Sequence, residues 1–236
     1  LLDVAARIAA DRRQQLIAEL RAVYVHHGLE READAWEEHC RRECEKRGVI
    51  FEAVRVRVQR SGDGIEAAAR DVRYRALAQY ALKSGCSIIM TAHHEDDRIE
   101  TFLLQWMRGA GLEGLAAFPE VRELAAPSME DAKAVQARKQ VFLLRPWSGV
   151  LRRDIERYVK NRRIPYVDDP SNNSPKYDRN RVRSEIIPRL EAIRPGFSAS
   201  AARSVGLIGE ALEVLKSVAR SDLEACRSET MPHGLS

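Results

Sequence analysis

Strand-like and helix-like stretches alternate along the chain. Leu1, Val4, Ala5 and Ile8 recur at the helical period, so residues 1–10 read as a helix. No Ser, Thr, Asp or Asn caps it and no strand leads into it, which predicts further chain upstream. Leu20 to Val25 is a β-prone run that ends at His26-His27-Gly28. Residues 32–47 form a charged helix with Ala33, Trp36, Cys40 and Cys44 on one side. Val49 to Val58 alternates Val54, Val56 and Val58 with Arg55 and Arg57, a strand pattern, and Ser61 to Gly64 is a loop. Residues 65–83 are helical, Cys86 to Ala92 is a compact apolar run of the buried parallel-strand kind, and 95–108 are helical again.

Beyond this point the signals weaken. Gly109 to Phe118 reads as a Gly-rich turn, 120–140 as a loop or ragged hairpin, and Val141 to Leu144 as a strand. A basic helix follows at 151–162, then turn chemistry from Asp168 to Pro175, then a helix at 179–193. From Ser198 a long helix carries Val205, Ile208, Leu212 and Leu215 as a packing seam. This order predicts an α/β fold, a parallel sheet with helices on both faces, followed by a helical segment. Residues 1–195 are expected to form the catalytic domain and 196–236 a helical linker or the start of a second domain. In such sheets ligands bind beyond the carboxyl ends of the strands. His26-His27-Gly28 and His93-His94 both lie at such ends, so both are expected at one site.

Composition changes this picture little: 44% hydrophobic and 31% charged residues suit a globular chain. No stretch approaches the roughly 18 apolar residues of a membrane helix, and no signal peptide opens the chain, so a cytoplasmic location is expected. Cys40, Cys44, Cys86 and Cys226 include no CxxC pair and no zinc-spaced set. Charge is more informative. Residues 145–195 hold 13 Lys/Arg against 7 Asp/Glu, a net of +6 in a chain whose total is +4. A basic block beside a neutral-to-acidic body suits a polyanion partner, as it also suits an ordinary basic surface.

The densest chemistry is Thr91-Ala92-His93-His94-Glu95-Asp96-Asp97, continued by Glu100-Thr101. On a helix, Asp96, Asp97, Glu100 and Thr101 share one polar arc, and Ile99, Phe102, Leu103 and Trp106 share the opposite one. Carboxylates at a strand-to-helix junction can hold Mg²⁺ or orient a nucleophile; they can also simply favour the helix dipole. Glu66, Arg70 and Arg73 lie on one helix face and read first as a surface ion-pair cluster. Arg179, Arg181 and Arg183 leave the turn that begins at Asp169 and suit phosphate, or form a basic helix start.

These residues resemble, in order, the tRNA(Ile)-lysidine synthase family of PP-loop ATP pyrophosphatases. The resemblance runs through Val25-His26-His27-Gly28-Leu29, Glu66 to Arg70 with Arg73-Tyr74, and Thr91 to Asp97 with Glu100-Thr101. It continues through Arg108 to Gly111 with Gly114-Leu115, Arg145-Pro146, Asp169 to Asn172 and Arg179 to Arg183. The family usually has Asn in place of His26 and Arg in place of Glu30, and its Ser-Gly-Gly-x-Asp-Ser loop is expected just upstream of Leu1.

The resemblance implies a PP-loop fold and two chemical steps. ATP with Mg²⁺ adenylates the C2 oxygen of the wobble cytidine of tRNA(Ile), and the amine of free L-lysine then attacks C2 and releases AMP. It implies catalytic roles for His93, His94, Asp96, Asp97 and Arg108, and ATP contacts by Val25, His26, His27, Arg179 and Arg181. Mg²⁺ would be held by Asp97 and Glu100, and tRNA by Arg152, Arg153, Arg157 and Arg183. It allows a homodimer and implies no membrane partner. Two other readings stay open: a PP-loop tRNA sulfur transferase, and a non-catalytic tRNA-binding fragment.

Overall fold

The computed structural model describes residues 1–11, 17–28, 31–58, 65–124, 140–175 and 177–226, without the side chains of 65–67 and 173. The expected 61–64 loop, Glu30, the Glu66 side chain and most of the 120–140 hairpin lie outside the described residues. The chain divides into two compact units, one of residues 1–92 and 121–144, the other of 93–120 and 145–236.

The first unit holds the sheet strands. Helix α1 (Leu2–Ala10) leads to β1 (Arg21–His26), α2 (Ala33–Glu45) and β2 (Ile50–Arg55). β1 and β2 pair in parallel, from Arg21 opposite Ile50 to His26 opposite Arg55. α2 is thus the crossover helix of a βαβ unit, as two parallel neighbours require. Gly48, at φ +64°, closes α2 while the Val49 N–H donates to the Cys44 carbonyl at 3.0 Å. A left-handed residue costs glycine little, and it returns an orphaned helix carbonyl to a partner. Arg47 ties α1 to α2, with Nε 3.1 Å from Asp3 and Nη1 2.7 Å from Glu43.

Helix α3 (Ile65–Ser84) packs on β1 and also on β3 (Ile88–Met90) and β5 (Val141–Leu144). β3 and β5 are parallel, with Ile88 opposite Phe142 and Met90 opposite Leu144. β4 (Val121–Leu124) adds antiparallel to the other edge of β5. The central strand β5 is an apolar run, and its Val141 and Leu143 are sealed among Ala78, Ala81, Ile89 and Leu124. Parallel pairing is present as expected, in two sheets, β1-β2 and β3-β5-β4, the second with one antiparallel strand within the stretch read as a ragged hairpin.

The second unit is helical. It contains α4 (Glu95–Met107), α5 (Leu112–Leu115), α6 (Arg152–Asn161) and a 3₁₀ turn (Pro170–Asn173). Then come α7 (Asp178–Arg181), a π turn (Val182–Ile186), α8 (Ile187–Ile193) and α9 (Phe197–Ala225). α5 is a single turn inside the stretch expected to be a Gly-rich turn. The π turn precedes Pro188, whose ring and missing N–H disrupt regular helix bonding. Ile99, Leu103, Val182 and Ala201 form the core, which Phe102, Leu104, Ile187, Leu190 and Phe197 flank. α9 packs against α4 and α5; Val205, in its first half, is fully buried, and further on Val214, Leu215 and Val218 are exposed. Among the described residues no helix is long and apolar enough to cross a membrane.

Candidate functional site

In the first unit the exit of β1 carries polar groups. The backbone turns at Gly28, φ +66°, whose N–H donates to His26 Nδ1 at 3.1 Å. That bond assigns the proton of neutral His26 to Nε2, which faces Asp34 Oδ1 at 3.2 Å. Next along the chain, His27 Nε2 accepts from Arg73 Nε at 3.3 Å, so its Nδ1 is the donor. That Nδ1 is buried and has no hydrogen-bond partner among the described residues. Burial, the Arg73 guanidinium and His26 together push the His27 pKa below its ordinary value, keeping the ring neutral.

Arg73, read from sequence as part of a surface ion-pair cluster, thus turns toward His27, and Arg70 lies over the Tyr74 ring at 5.2 Å. The described residues contain one group of three potential metal ligands: His26, Asp34 and Glu37. Arg55 occupies it, with Nη2 2.9 Å from Asp34 and 3.4 Å from Glu37. No cysteine belongs to that group.

In the second unit the polar side chains meet at the start of α4. His94 caps this helix. Its Nδ1 accepts the Asp97 N–H at 3.4 Å, and the Asp97 carboxylate accepts the His94 N–H at 2.9 Å. This capping box uses a histidine where Ser or Thr is usual. Burial, with Asp96 adjacent, pushes the Glu95 carboxyl above its ordinary range. His93 meets the Phe118 ring edge-on, 5.4 Å between centroids.

Glu100 lies one turn further on and is completely buried. Arg179 Nε donates to its Oε2 at 2.7 Å, and Arg183 donates from Nε to Oε1 at 2.6 Å and from Nη2 to Oε2 at 3.0 Å. Arg179 also donates to the Asp97 carbonyl at 3.2 Å and to Thr101 Oγ1 at 3.3 Å, and lies 3.4 Å from the Asp97 carboxylate. Residues 179 and 183 are one helical turn apart, so both guanidiniums reach the same carboxylate. The polar arc of α4 is therefore closed over by arginines, while Trp106, read on the opposite, apolar arc, is 63% exposed.

The remaining candidates are spread out. Asp96, expected beside Asp97 as a catalytic carboxylate, accepts the Arg152 backbone N–H at 2.8 Å. Arg108 caps the far end of α4, about 16 Å of helix rise from Asp97. It is not brought to the cluster. Arg181 faces outward, between Asp178 at 4.0 Å and Glu185 at 3.7 Å. It does not join Arg179. On α6, Arg152, Arg153 and Arg157 are all exposed, Arg152 against Glu156 and Arg157 against Asp154. The expected 168–175 turn is held by Asp169, which accepts the Ser171 N–H, and by Asn180, which donates to the Ser171 and Ser174 carbonyls.

Two residues of this unit gave no chemical signal in sequence. Arg145 is 1% exposed, donates to the Pro119 carbonyl at 2.6 Å and lies 4.8 Å from the Phe118 ring centroid. Phe118 therefore touches both Arg145 and His93. A lone Phe in a Gly-rich turn carries no motif, and Arg145-Pro146, a strand end that the family resemblance includes, has no role attached to it in sequence.

Comparisons with known proteins agree with this architecture. The chain is 40% identical over 230 residues to a tRNA(Ile)-lysidine synthase of Pseudomonas syringae, covering 98% of the chain and 47% of that protein. It is 42% identical over 203 residues to a tRNA(Ile)-lysidine synthase of Ralstonia nicotianae, covering 86% of the chain and 40% of that protein. The chain thus spans about half the length of the curated relatives it matches. Among solved structures, the U34-tRNA thiolase NcsA of Methanococcus maripaludis with its [4Fe-4S] cluster aligns with a TM-score of 0.65. That alignment has 17% identity and covers 88% of this chain and 68% of the other, a likeness of fold. The model of the PP-loop domain matches residues 1–190, and the chain belongs to that family.

Proposed function

We propose that the protein containing this chain joins free L-lysine to C2 of the wobble cytidine of tRNA(Ile), through an adenylated tRNA intermediate. The observation that carries this reading is the 40% identity to a tRNA(Ile)-lysidine synthase across 98% of the chain. The polar residues gathered around Glu100 are drawn from the same motifs that resemble that family.

ATP is the co-substrate in this reading. In the first step the C2 oxygen attacks the α-phosphorus, a P–O bond forms and pyrophosphate leaves. In the second the lysine amine attacks C2, the C–O bond to the adenylate breaks, AMP leaves and the amine gives up a proton. The buried His27 Nδ1–H suits an acceptor on the nucleotide, because it is a donor still lacking a partner among the described residues. Val25 and His26 shape that strand exit. Asp97, oriented by the His94 N–H, is the proposed proton acceptor for the amine. Arg179 offers positive charge beside it. The His94 ring lies against that carboxylate, Nε2 3.5 Å from Oδ2, and His93 precedes it on the same segment.

Mg²⁺ fits the expected residues poorly. Glu100 gives both oxygens to Arg179 and Arg183, and Asp97 already faces Arg179. These carboxylates serve the chain's own cations. The exposed arginines of α6 are the proposed tRNA surface, and the cytoplasm, where tRNA is modified, is the proposed location.

The test uses the full-length protein, labelled lysine, ATP and a tRNA(Ile) transcript. Expected is ATP-dependent incorporation that survives mild alkali, which would strip an aminoacyl ester. A transcript with uridine at the wobble position should accept none. Equal incorporation into both transcripts, or none into either, would refute the reading.

A further inference from the structure

We propose that Asp96 is a positioning residue: its carboxylate anchors the N-terminus of α6 to the segment that carries His93, His94 and Asp97. The inference rests on the reading of α6 as the tRNA-facing helix and deepens it.

The first N–H groups of a helix have no acceptor within the helix. At α6 the preceding residue is Leu151, which has no side-chain acceptor to offer. The acceptor comes from a residue 56 positions away: Asp96 Oδ2 receives the Arg152 N–H at 2.8 Å. Two further bonds run alongside it. His94 forms a parallel bridge with Trp147, and the Glu95 N–H donates to the Val150 carbonyl at 3.0 Å. Residues 94, 95 and 96 therefore grip 147, 150 and 152 in sequence, and the last grip is the one made by a side chain.

The charge pattern of α6 calls for this anchor. Arg152 and Arg153 stand in its first turn, at the positive end of the helix dipole, where cations are unfavourable. Asp154 offsets part of that charge from within the helix, and Asp96 adds a carboxylate from outside. Arg153 and Arg157, one turn apart, then lie on one face in a pose fixed from the α4 side. Each of the two neighbouring carboxylates gives one oxygen to a backbone donor, Asp96 to the start of α6 and Asp97 to the start of its own helix, so only the Asp96 bond holds a second element.

Capping needs an acceptor, whereas proton transfer needs a carboxylate, so two substitutions separate the roles. Asp96→Asn keeps an acceptor oxygen, and Asp96→Ala keeps none. In the full-length protein, D96A should weaken tRNA affinity roughly 3- to 30-fold, the range spanned by loss of one helix cap, and leave kcat within about 3-fold. D96N should recover most of that affinity. Loss of kcat by about 100-fold or more in both variants, the scale of a missing general base, would overturn the proposal.

A cycle with R153A/R157A tests the route through α6. If Asp96 acts by placing those arginines, D96A adds little once they are gone, whereas additive losses would overturn that route. Amide exchange at Arg152 and Arg153 gives a readout independent of tRNA. Faster exchange in D96A than in D96N upholds the anchor, and equal exchange overturns it. If R153A/R157A alone leaves tRNA affinity at the parent value, α6 is not the tRNA face. That result strikes the functional reading, and the exchange data still decide the role of Asp96.

Discussion

Glu100→Ala is the sharpest perturbation the structure offers. The carboxylate is wholly buried and accepts three guanidinium N–H bonds from Arg179 and Arg183 at 2.6 to 3.0 Å. Truncation leaves two cations converging on an empty space. Breaking a buried ion pair from one side costs about 3–5 kcal/mol. Arg179 and Arg183 are 36% and 28% exposed, so water recovers part of that loss and the lower end, about 3 kcal/mol, is expected. Glu100→Gln keeps the volume and one acceptor oxygen, and should cost about 2 kcal/mol. The assay is urea unfolding of the full-length protein followed by tryptophan fluorescence, since Trp106 and Trp147 both lie in this unit. With a slope of about 1–3 kcal/mol per molar, the E100A transition in that signal should move down by roughly 1–3 M. A midpoint within about 0.3 M of the parent would show that the cluster contributes nothing net, and that the two arginines are as well solvated without Glu100.

Three further outcomes follow from the geometry. Arg145→Met removes a charge-assisted bond to the Pro119 carbonyl and should cost about 1.5–3 kcal/mol, read as a lowered thermal midpoint; an unchanged midpoint would count against it. His27 has its pKa lowered below 6.5, chiefly by burial, so the folded protein resists protonation there and the neutral ring's contribution is complete above that pH. Nucleotide affinity should be flat from pH 8 to 6.5 and fall below it, and H27A should abolish the fall; a fall that persists in H27A assigns it elsewhere. Arg152→Ala/Arg153→Ala should flatten the salt dependence of tRNA binding by about one unit of slope for each phosphate no longer neutralised, whereas Arg181→Ala should do so less, since Asp178 and Glu185 flank that guanidinium. Equal slopes in the α6 variant and the parent would remove α6 from the tRNA surface.

Much of the fold was legible because it depends on local periodicity. Val141 to Leu144 reads as a strand and is one, and Ile99 and Leu103 read as a packed face and are buried. What failed depends on pairing across the sequence. Val121 to Leu124 is a polar-looking segment that becomes a strand because β5 offers it an edge. Glu100 reads as part of a polar arc of α4, and nothing near it in sequence shows that Arg179 and Arg183, about 80 residues later, cover it. Trp106 follows the apolar period yet stays exposed. In the candidate site, sequence marked His94, Asp97, Glu100, Arg179 and Arg183 as polar residues of interest, but not the ion cluster they form. It marked Asp96 and Asp97 alike, and only the geometry separates a carboxylate that caps its own helix from one that caps another.

The arginines illustrate why charge alone was a blunt guide to the basic segment. Arg145, Arg179 and Arg183 count toward its net +6, yet each is committed to a carbonyl, a ring or a buried carboxylate of the chain itself. A guanidinium already desolvated and paired has little to gain from a phosphate, because the new bond must replace an existing one. Arg153 and Arg157 differ. They stand on an exposed face, and the exposed Arg157–Asp154 pair holds little energy against exchange for phosphate. The charge available to a polyanion is therefore smaller than the sequence total and concentrated on α6. A polyanion that docks there meets a helix whose N-terminus is held by Asp96, the residue next to Asp97. On the proposed reading, docking and chemistry are joined through two adjacent carboxylates, and substitutions at 96 and 97 are expected to separate them, the first in tRNA affinity and the second in turnover.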